Sequence, residues 1–192
     1  TGVAKGAGMI RPDMATMLCF VCTDAAAAPE TLQDILKTAN AESFNRITID
    51  GDTSTNDTVL LLANGQSGVS LTDQASIGQF QDELTDVLVT LAKMIVKDGE
   101  GATKFVEIEV TGAESVAAAR KVADTVANSS LVKTALFGED ANWGRIMAAV
   151  GRSGVPITPE AIDIYFDQVE MVKNGQGTGE AADVSATKVI RQ

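Results

Sequence analysis

The strongest constraint on the fold is a repeat of apolar residues between positions 75 and 97. Apolar side chains recur there every three or four positions, at Ile77, Phe80, Leu84, Val87, Leu88, Leu91, Met94 and Ile95. This spacing places them along one face of an α-helix. The glycines of KDGEG, residues 97–101, predict where that helix ends. Because a long apolar face needs another layer to cover it, the repeat indicates a layered fold.

Shorter segments on both sides of this helix alternate between strand and helix patterns. Strands are predicted at residues 16–23, 58–63, 104–110 and 162–166, with a short β-rich run at 46–50. Further helices are predicted at residues 29–44, 115–128 and 143–150, and a loop or hairpin end at 173–183. The alternation predicts an α/β or α+β fold with layered packing. A length of 192 residues suits one large domain or two small ones.

Charge and the residue census narrow the functional classes. The chain carries 15 basic and 26 acidic residues, a net charge of −11 that disfavours nucleic acid and anionic membranes as partners. No apolar run reaches the length of a membrane span, and no signal peptide is expected. Histidine is absent, so a Ser–His or Cys–His catalytic pair and a histidine metal site are excluded within these 192 residues. Nucleophilic chemistry here would need a lysine or a terminal amine as its base.

Two cysteines form one C-x-x-C pair at Cys19 and Cys22. A redox pair and half of a zinc site are the functional interpretations. The surrounding MLCFVC reads instead as a buried strand, in which positions three apart point to opposite faces. We therefore expect two reduced core thiols, which suits a reducing cytoplasm.

Thr16 stands where a glycine-rich segment becomes an apolar strand. A threonine hydroxyl is a weak nucleophile unless a base lies beside it. Cleavage of the chain before Thr16 would free its own α-amino group, which titrates near pH 7.7–8.0 in peptides and can act as that base. Attack of Thr16 Oγ on the Ala15 carbonyl, followed by hydrolysis of the ester, would make the cut. The alternative is an ordinary threonine at a loop-to-strand junction.

Two acidic segments are further candidates. The sequence ITIDGDTSTND, residues 47–57, contains Asp50-x-Asp52 after an apolar run, as in dehalogenase-like phosphatases with an aspartate nucleophile and Mg²⁺. Its other interpretation is a polar loop whose side chains bond the local backbone. Glu100 lies between Gly99 and Gly101 at the predicted helix end. It could face a cationic ligand group or be a solvated residue of the turn.

Four segments, in order along the chain, resemble one enzyme family. GVAKGAGMIRPDMATML, DGDTSTNDT, DGEGATKF and LVKTALFGEDANWGRIMAAVG are similar to segments of ornithine acetyltransferase, the bifunctional glutamate N-acetyltransferase of arginine biosynthesis. The resemblance implies a layered α/β (α+β) sandwich of the N-terminal-nucleophile-like type. It also implies three parts: residues 1–15 as the end of an α-chain, 16–100 as the nucleophile-bearing part of a β-chain, and 101–192 as a truncated C-terminal α/β part.

The same resemblance assigns the site residues. The family cuts itself between the Ala and Thr of its A-T-M-L motif, here Ala15 and Thr16. The new N-terminal threonine then carries an acetyl group from N-acetylornithine to glutamate, with its own amine as base. Lys5 matches a substrate-contacting lysine, and Glu100 matches the glutamate that holds the substrate. For the polar loop, residues 52–57, a structural role alone is implied.

Partners and alternatives follow from the family as well. No cofactor or metal is implied, with acetyl-CoA as a second acetyl donor if the enzyme is bifunctional. An α-chain with the oxyanion hole would complete an αβ heterodimer that assembles to a heterotetramer in the cytoplasm, and further substrate residues would lie beyond Gln192. The alternatives are an amidohydrolase or aminopeptidase of the same fold group, for which water is the acceptor, and a binding or scaffold protein without activity.

Overall fold

The computed structural model describes residues 1–11 and 17–191. A three-stranded sheet forms the centre of the first part of the chain. Strand β1 spans Gly2–Lys5, β2 spans Leu18–Thr23 and β3 spans Thr58–Ala63. β1 is antiparallel to β2, whereas β2 is parallel to β3. A parallel pair needs a crossover connection. Helix α1, Pro29–Ala41, and a short 3₁₀ turn, Phe44–Arg46, lie within that connection.

The predicted long helix is confirmed as α2, Gln74–Lys97. Asp73 caps its N-terminus, because the Asp73 carboxylate accepts from the Ser76 backbone N–H while the Ser76 hydroxyl faces the Asp73 N–H. The helix ends just before Asp98 and Gly99, as the glycines predicted. Two of the predicted apolar positions, Val87 and Met94, remain exposed, so the buried face is narrower than the pattern suggested.

One face of the sheet packs against both helices and forms the core of this part. The sheet contributes Cys19 and Val21. The helices contribute Ile35, Ala39, Leu84, Leu88, Ala92 and Ile95. Side chains alternate along a strand, so their neighbours point to the other face. Cys22 lies on that other face and is exposed, whereas Cys19 is buried in the core. Both are free thiols, and the prediction that both lie in the core is wrong for Cys22.

The chain divides into two compact units, Thr1–Phe105 and Val106–Gln192. The predicted boundary at residue 101 stays a prediction, and the predicted division after Ala15 lies outside the described residues. In the second unit β4, Ile164–Phe166, β5, Val169–Lys173, and β6, Gln176–Gly177, form an antiparallel sheet. Its helices are α3, Val116–Ala127; α4, Ser130–Phe137; α5, Trp143–Gly151; and α6, Glu180–Ile190. A 3₁₀ turn spans Pro159–Ala161.

Two apolar clusters hold the second unit together. In one, α6 covers the small sheet through Ala186 and Ile190 against Met171 and Val172. The other joins α3, α4 and α5 through Val122, Val126, Val132, Ala149 and Val150. Among the described residues no helix is long and apolar enough to cross a membrane.

Several predicted elements differ in the structure. Residues 104–110 form no strand; Ile108 and Val110 instead pack against the cluster of α3, α4 and α5. Alternation alone does not make a strand, because a strand also needs a neighbouring strand to accept its hydrogen bonds. The predicted run at residues 46–50 is a 3₁₀ turn and irregular chain, and the predicted loop at 173–183 contains β6 and the first turn of α6.

Candidate functional site

The predicted nucleophile and cleavage position, Thr16 and Ala15, lie outside the described residues, which stop at Arg11 and resume at Met17. The site is therefore defined by the residues that flank this segment and by the elements that hold them. Two of the predicted residues, Lys5 and Glu100, belong to that surrounding structure.

Lys5 is the last residue of β1 and lies opposite Leu18 in the antiparallel ladder. Leu18 is two residues beyond Thr16 in the sequence. The Lys5 side chain is exposed. The β1–β2 pairing thus places a residue with an exposed ammonium group beside Leu18, the second residue after Thr16.

Glu100 approaches the glycine-rich segment from the end of α2. Its backbone N–H donates to the Ala7 carbonyl at 2.8 Å. A side chain on Gly8 would begin 3.5 Å from Glu100 Oε2 and 3.8 Å from Asp50 Oδ2, so both carboxylates face this glycine. Glu100 is exposed, and its carboxylate is therefore available to a cationic group in solution.

The turn that presents Glu100 depends on the two glycines beside it. A Cβ at Gly99 would lie 2.9 Å from Ile49 Cδ1 and 3.1 Å from the Val96 carbonyl oxygen, closer than side chains tolerate. Gly101 has a φ of +71°, in the left-handed region that favours glycine. The residue types on both sides of Glu100 are thus dictated by the path of the backbone.

Asp50 anchors the chain before the undescribed segment. Its Oδ2 accepts from the Met9 N–H at 2.6 Å, and its Oδ1 accepts from the Ile10 N–H at 3.2 Å and from the Asp52 N–H at 3.0 Å. Ile10 in turn accepts at its carbonyl from the Ile49 N–H at 2.8 Å. Met9 has a φ of +53°, an unfavourable value for this residue type. The Asp50 hydrogen bonds help to hold that backbone.

Asp57 anchors the chain after the undescribed segment. Its Oδ1 accepts from the Met17 N–H at 2.8 Å, while the Met17 carbonyl accepts from the Thr58 N–H at 3.0 Å. Burial raises the pKa of the Asp57 carboxyl above its ordinary value, and the hydrogen bond from Met17 opposes this shift. Both polar groups of the Met17 backbone are thus bonded to one stretch of chain, residues 57–58.

Between these two anchors the loop bonds to itself, as one of the two sequence interpretations predicted. Ser54 is buried, and its hydroxyl accepts from the Asn56 N–H at 3.3 Å. The Thr55 hydroxyl donates to the Asn56 side-chain oxygen at 3.2 Å. Asp50 accepts three backbone hydrogen bonds, an arrangement suited to holding a loop rather than to attacking a phosphate. The geometry therefore favours the structural interpretation over the phosphatase.

The roles of Asp50 and Asp57 as anchors were not predicted. Their partners, Met9 and Met17, are 41 and 40 residues away in the chain. A side-chain bond to such a distant backbone group leaves no local spacing pattern. The available signal was the density of Asp, Ser, Thr and Asn in one short loop, which indicates side-chain bonding without naming the partners.

The described units define the class of the protein: an α+β fold in which helices pack on small sheets, so the predicted layered α/β (α+β) class is confirmed. The ArgJ family model matches residues 1–192, and the chain belongs to the ArgJ family. The crystal structure of arginine biosynthesis bifunctional protein argJ from Bacillus halodurans aligns with a TM-score of 0.85 at 43% identity, over 90% of this chain and 82% of that chain.

Curated relatives agree with this assignment. Proteins named arginine biosynthesis bifunctional protein ArgJ from Geobacter sulfurreducens and Syntrophotalea carbinolica are 55% and 56% identical to the chain. Each alignment covers 100% of this chain and 49% of the relative. The chain thus spans about half the length of the curated relatives that it matches.

Proposed function

We propose that the parent protein of this chain transfers an acetyl group from N-acetylornithine to glutamate through an acetyl ester on Thr16. The observation that carries the proposal is membership of the ArgJ family over all 192 residues, whose curated relatives are named for arginine biosynthesis. The placement of Lys5 and Glu100 beside the chain that leads to and from Thr16 supports it.

The first step is cleavage of the Ala15–Thr16 bond. Thr16 Oγ attacks the Ala15 carbonyl carbon and forms a C–O bond, the C–N bond breaks, and the hydroxyl proton passes to the nitrogen. Water then hydrolyses the ester, leaving a carboxylate on Ala15 and a free hydroxyl and α-amine on Thr16. The free amine supplies a base within a chain segment that holds no histidine.

Acetyl transfer repeats the same chemistry on the substrate. Thr16 Oγ attacks the acetyl carbonyl of N-acetylornithine, its proton passes through the α-amine to the departing nitrogen, and ornithine leaves. The amine of glutamate then attacks the acetyl ester, and the hydroxyl of Thr16 is restored. Attack of water at this point would instead release acetate, which is the reaction of the amidohydrolase alternative.

Lys5 and Glu100 suit the two charges of an amino-acid substrate. The exposed Lys5 ammonium can pair with the α-carboxylate, and the exposed Glu100 carboxylate can pair with the side-chain ammonium of N-acetylornithine. Both groups are presented by rigid elements, the β1–β2 ladder and the glycine-flanked turn after α2. These assignments rest on the family motif together with that placement.

The α-chain of the same precursor is the proposed partner, in an αβ heterodimer that assembles to a heterotetramer. The open face of the first sheet supports an interaction with further protein, because Val3, Phe20 and Leu60 lie in one register row across it and all three are exposed. Large exposed apolar groups that lie together indicate a contact surface. Cytoplasmic location is proposed from the biosynthetic role and the two free thiols.

The test is a transfer assay on the parent protein with labelled N-acetylornithine, with and without glutamate. A transferase forms acetylglutamate and releases little acetate when glutamate is absent, whereas a hydrolase releases acetate in both cases. Thr16→Ala should abolish turnover, and Thr90→Ala, an exposed position on α2, should leave it unchanged. A Thr16→Ala enzyme with normal activity would refute the proposal. Replacement of the donor by acetyl-CoA in the same assay tests the second donor.

A further inference from the structure

We propose that Asp57 is a positioning residue for cleavage at Ala15–Thr16, acting through its hydrogen bond to the Met17 N–H. The inference rests on the proposed function, since it concerns the step that frees Thr16. It goes beyond the family assignment because Asp57 belongs to a loop for which the sequence indicated a structural role alone.

The argument starts from the peptide group that Asp57 holds. The Met17 nitrogen is bonded to the carbonyl carbon of Thr16, and the peptide group is planar. The bond from Met17 N–H to Asp57 Oδ1, 2.8 Å long, therefore restrains the Met17 end of that peptide group. For Thr16 Oγ to reach the Ala15 carbonyl carbon, rotation about the bonds of Thr16 must be restricted to a narrow range. An anchored plane on one side removes part of that freedom before reaction.

A second contact makes the anchor rigid. The Met17 side chain is only 5% exposed, and the Met17 carbonyl accepts from Thr58 N–H at 3.0 Å. Directly after Met17, the register of β2 with β3 begins at Leu18 opposite Thr58. Asp57 thus extends the hydrogen bonding of the sheet by one residue toward Thr16, through a side chain instead of a strand.

The same loop also holds the chain on the other side of the cleavage segment. Asp50 binds the N–H groups of Met9 and Ile10, so one loop of the chain, residues 50–57, anchors both flanks. Such an arrangement restrains described residues on both sides of the cleavage segment, Ile10 before it and Met17 after it. Correct placement of reacting groups contributes strongly to rate, and a misplacement of about 1 Å can cost about 100-fold.

The experiment follows cleavage of freshly synthesised full-length parent protein over time and compares wild type with Asp57→Ala, Asp57→Asn and Asp52→Ala. Alanine removes the acceptor, so cleavage should slow by about 10- to 100-fold. Asparagine keeps an acceptor oxygen and should stay within about threefold of wild type, because a neutral oxygen still accepts from an N–H. Asp52 is an exposed aspartate of the same loop whose backbone N–H, not its side chain, bonds to Asp50. Asp52→Ala should therefore cleave at the wild-type rate.

The readout separates positioning from stability. The rate constant of the folded fraction is measured apart from the amount that folds, and unfolding of each variant is measured in a Thr16→Ala background that cannot be cut. The inference is overturned if Asp57→Ala cleaves at the wild-type rate constant, if it lowers only the amount cleaved, or if asparagine slows cleavage as much as alanine does. A wild-type protein that is never cut would instead refute the proposed self-cleavage itself.

Discussion

Gly99→Ala tests whether the turn before Glu100 is as tightly packed as the structure indicates. The added methyl group would lie 2.9 Å from Ile49 Cδ1, 3.2 Å from Ile49 Cγ2 and 3.1 Å from the Val96 carbonyl oxygen. Adding a methyl group to a packed site costs about 1–3 kcal/mol. The smaller conformational freedom of alanine in the unfolded chain returns about 0.4–1 kcal/mol. We expect the free energy of unfolding to fall by about 1.3 kcal/mol, the difference between the midpoints of these two ranges.

Denaturant unfolding of the parent protein measures this loss, and Gly78→Ala is the matched control. Gly78 lies in α2 with open space around it, so alanine there should raise the free energy of unfolding by about 0.5–1 kcal/mol. Ile49→Val removes the atom in closest contact. The loss of unfolding free energy in the Gly99→Ala/Ile49→Val double variant should therefore be smaller, by about 1 kcal/mol, than the sum of the losses in the two single variants. Strictly additive losses, or a stabilising Gly99→Ala, would refute the packing argument.

Three further predictions follow from the site and the core. Asp50→Ala removes two long-range hydrogen bonds, so the free energy of unfolding should fall by about 1–3 kcal/mol. The Met9 and Ile10 amide hydrogens should also exchange faster with solvent, and unchanged exchange would contradict the role of Asp50 in holding them. Glu100→Gln should leave cleavage intact but raise KM for N-acetylornithine by about 10- to 100-fold through loss of a charged partner, and an unchanged kcat/KM would remove Glu100 from the site. Cys22 should react with a thiol reagent at least about 100-fold faster than Cys19, because burial raises the pKa of the Cys19 thiol to about 11. Peptide mapping of the labelled native protein measures the two rates, and equal rates would refute the burial of Cys19.

Elements with a strong local pattern could be predicted from the sequence, whereas those that depend on distant partners could not. The amphipathic repeat of α2 and its glycine stop gave bounds within one residue of Gln74–Lys97. Strand β1, by contrast, is the four-residue GVAK, which has no distinctive pattern and is defined by its pairing with β2. Residues 104–110 show the reverse case, because they alternate like a strand but pair with no strand among the described residues.

The candidate site shows the same division. Lys5 and Glu100 could be named because they stand in family motifs, and their roles stay predictions. In the structure Lys5 pairs with Leu18, and the Glu100 N–H donates to the Ala7 carbonyl. Asp50 and Asp57 could not be paired with Met9 and Met17, since a hydrogen bond across about 40 residues is a property of the folded chain. Their residue types were informative about side-chain bonding, but the partners required the fold.

The most direct test of the central claim is a denaturing intact-mass spectrum of the full-length parent protein, before and after addition of N-acetylornithine. We predict two fragments, one beginning at Thr16, and a gain of one acetyl group on that fragment that is lost again when glutamate is added. A single uncut chain, or a Thr16 fragment whose mass does not change with N-acetylornithine, would contradict the account.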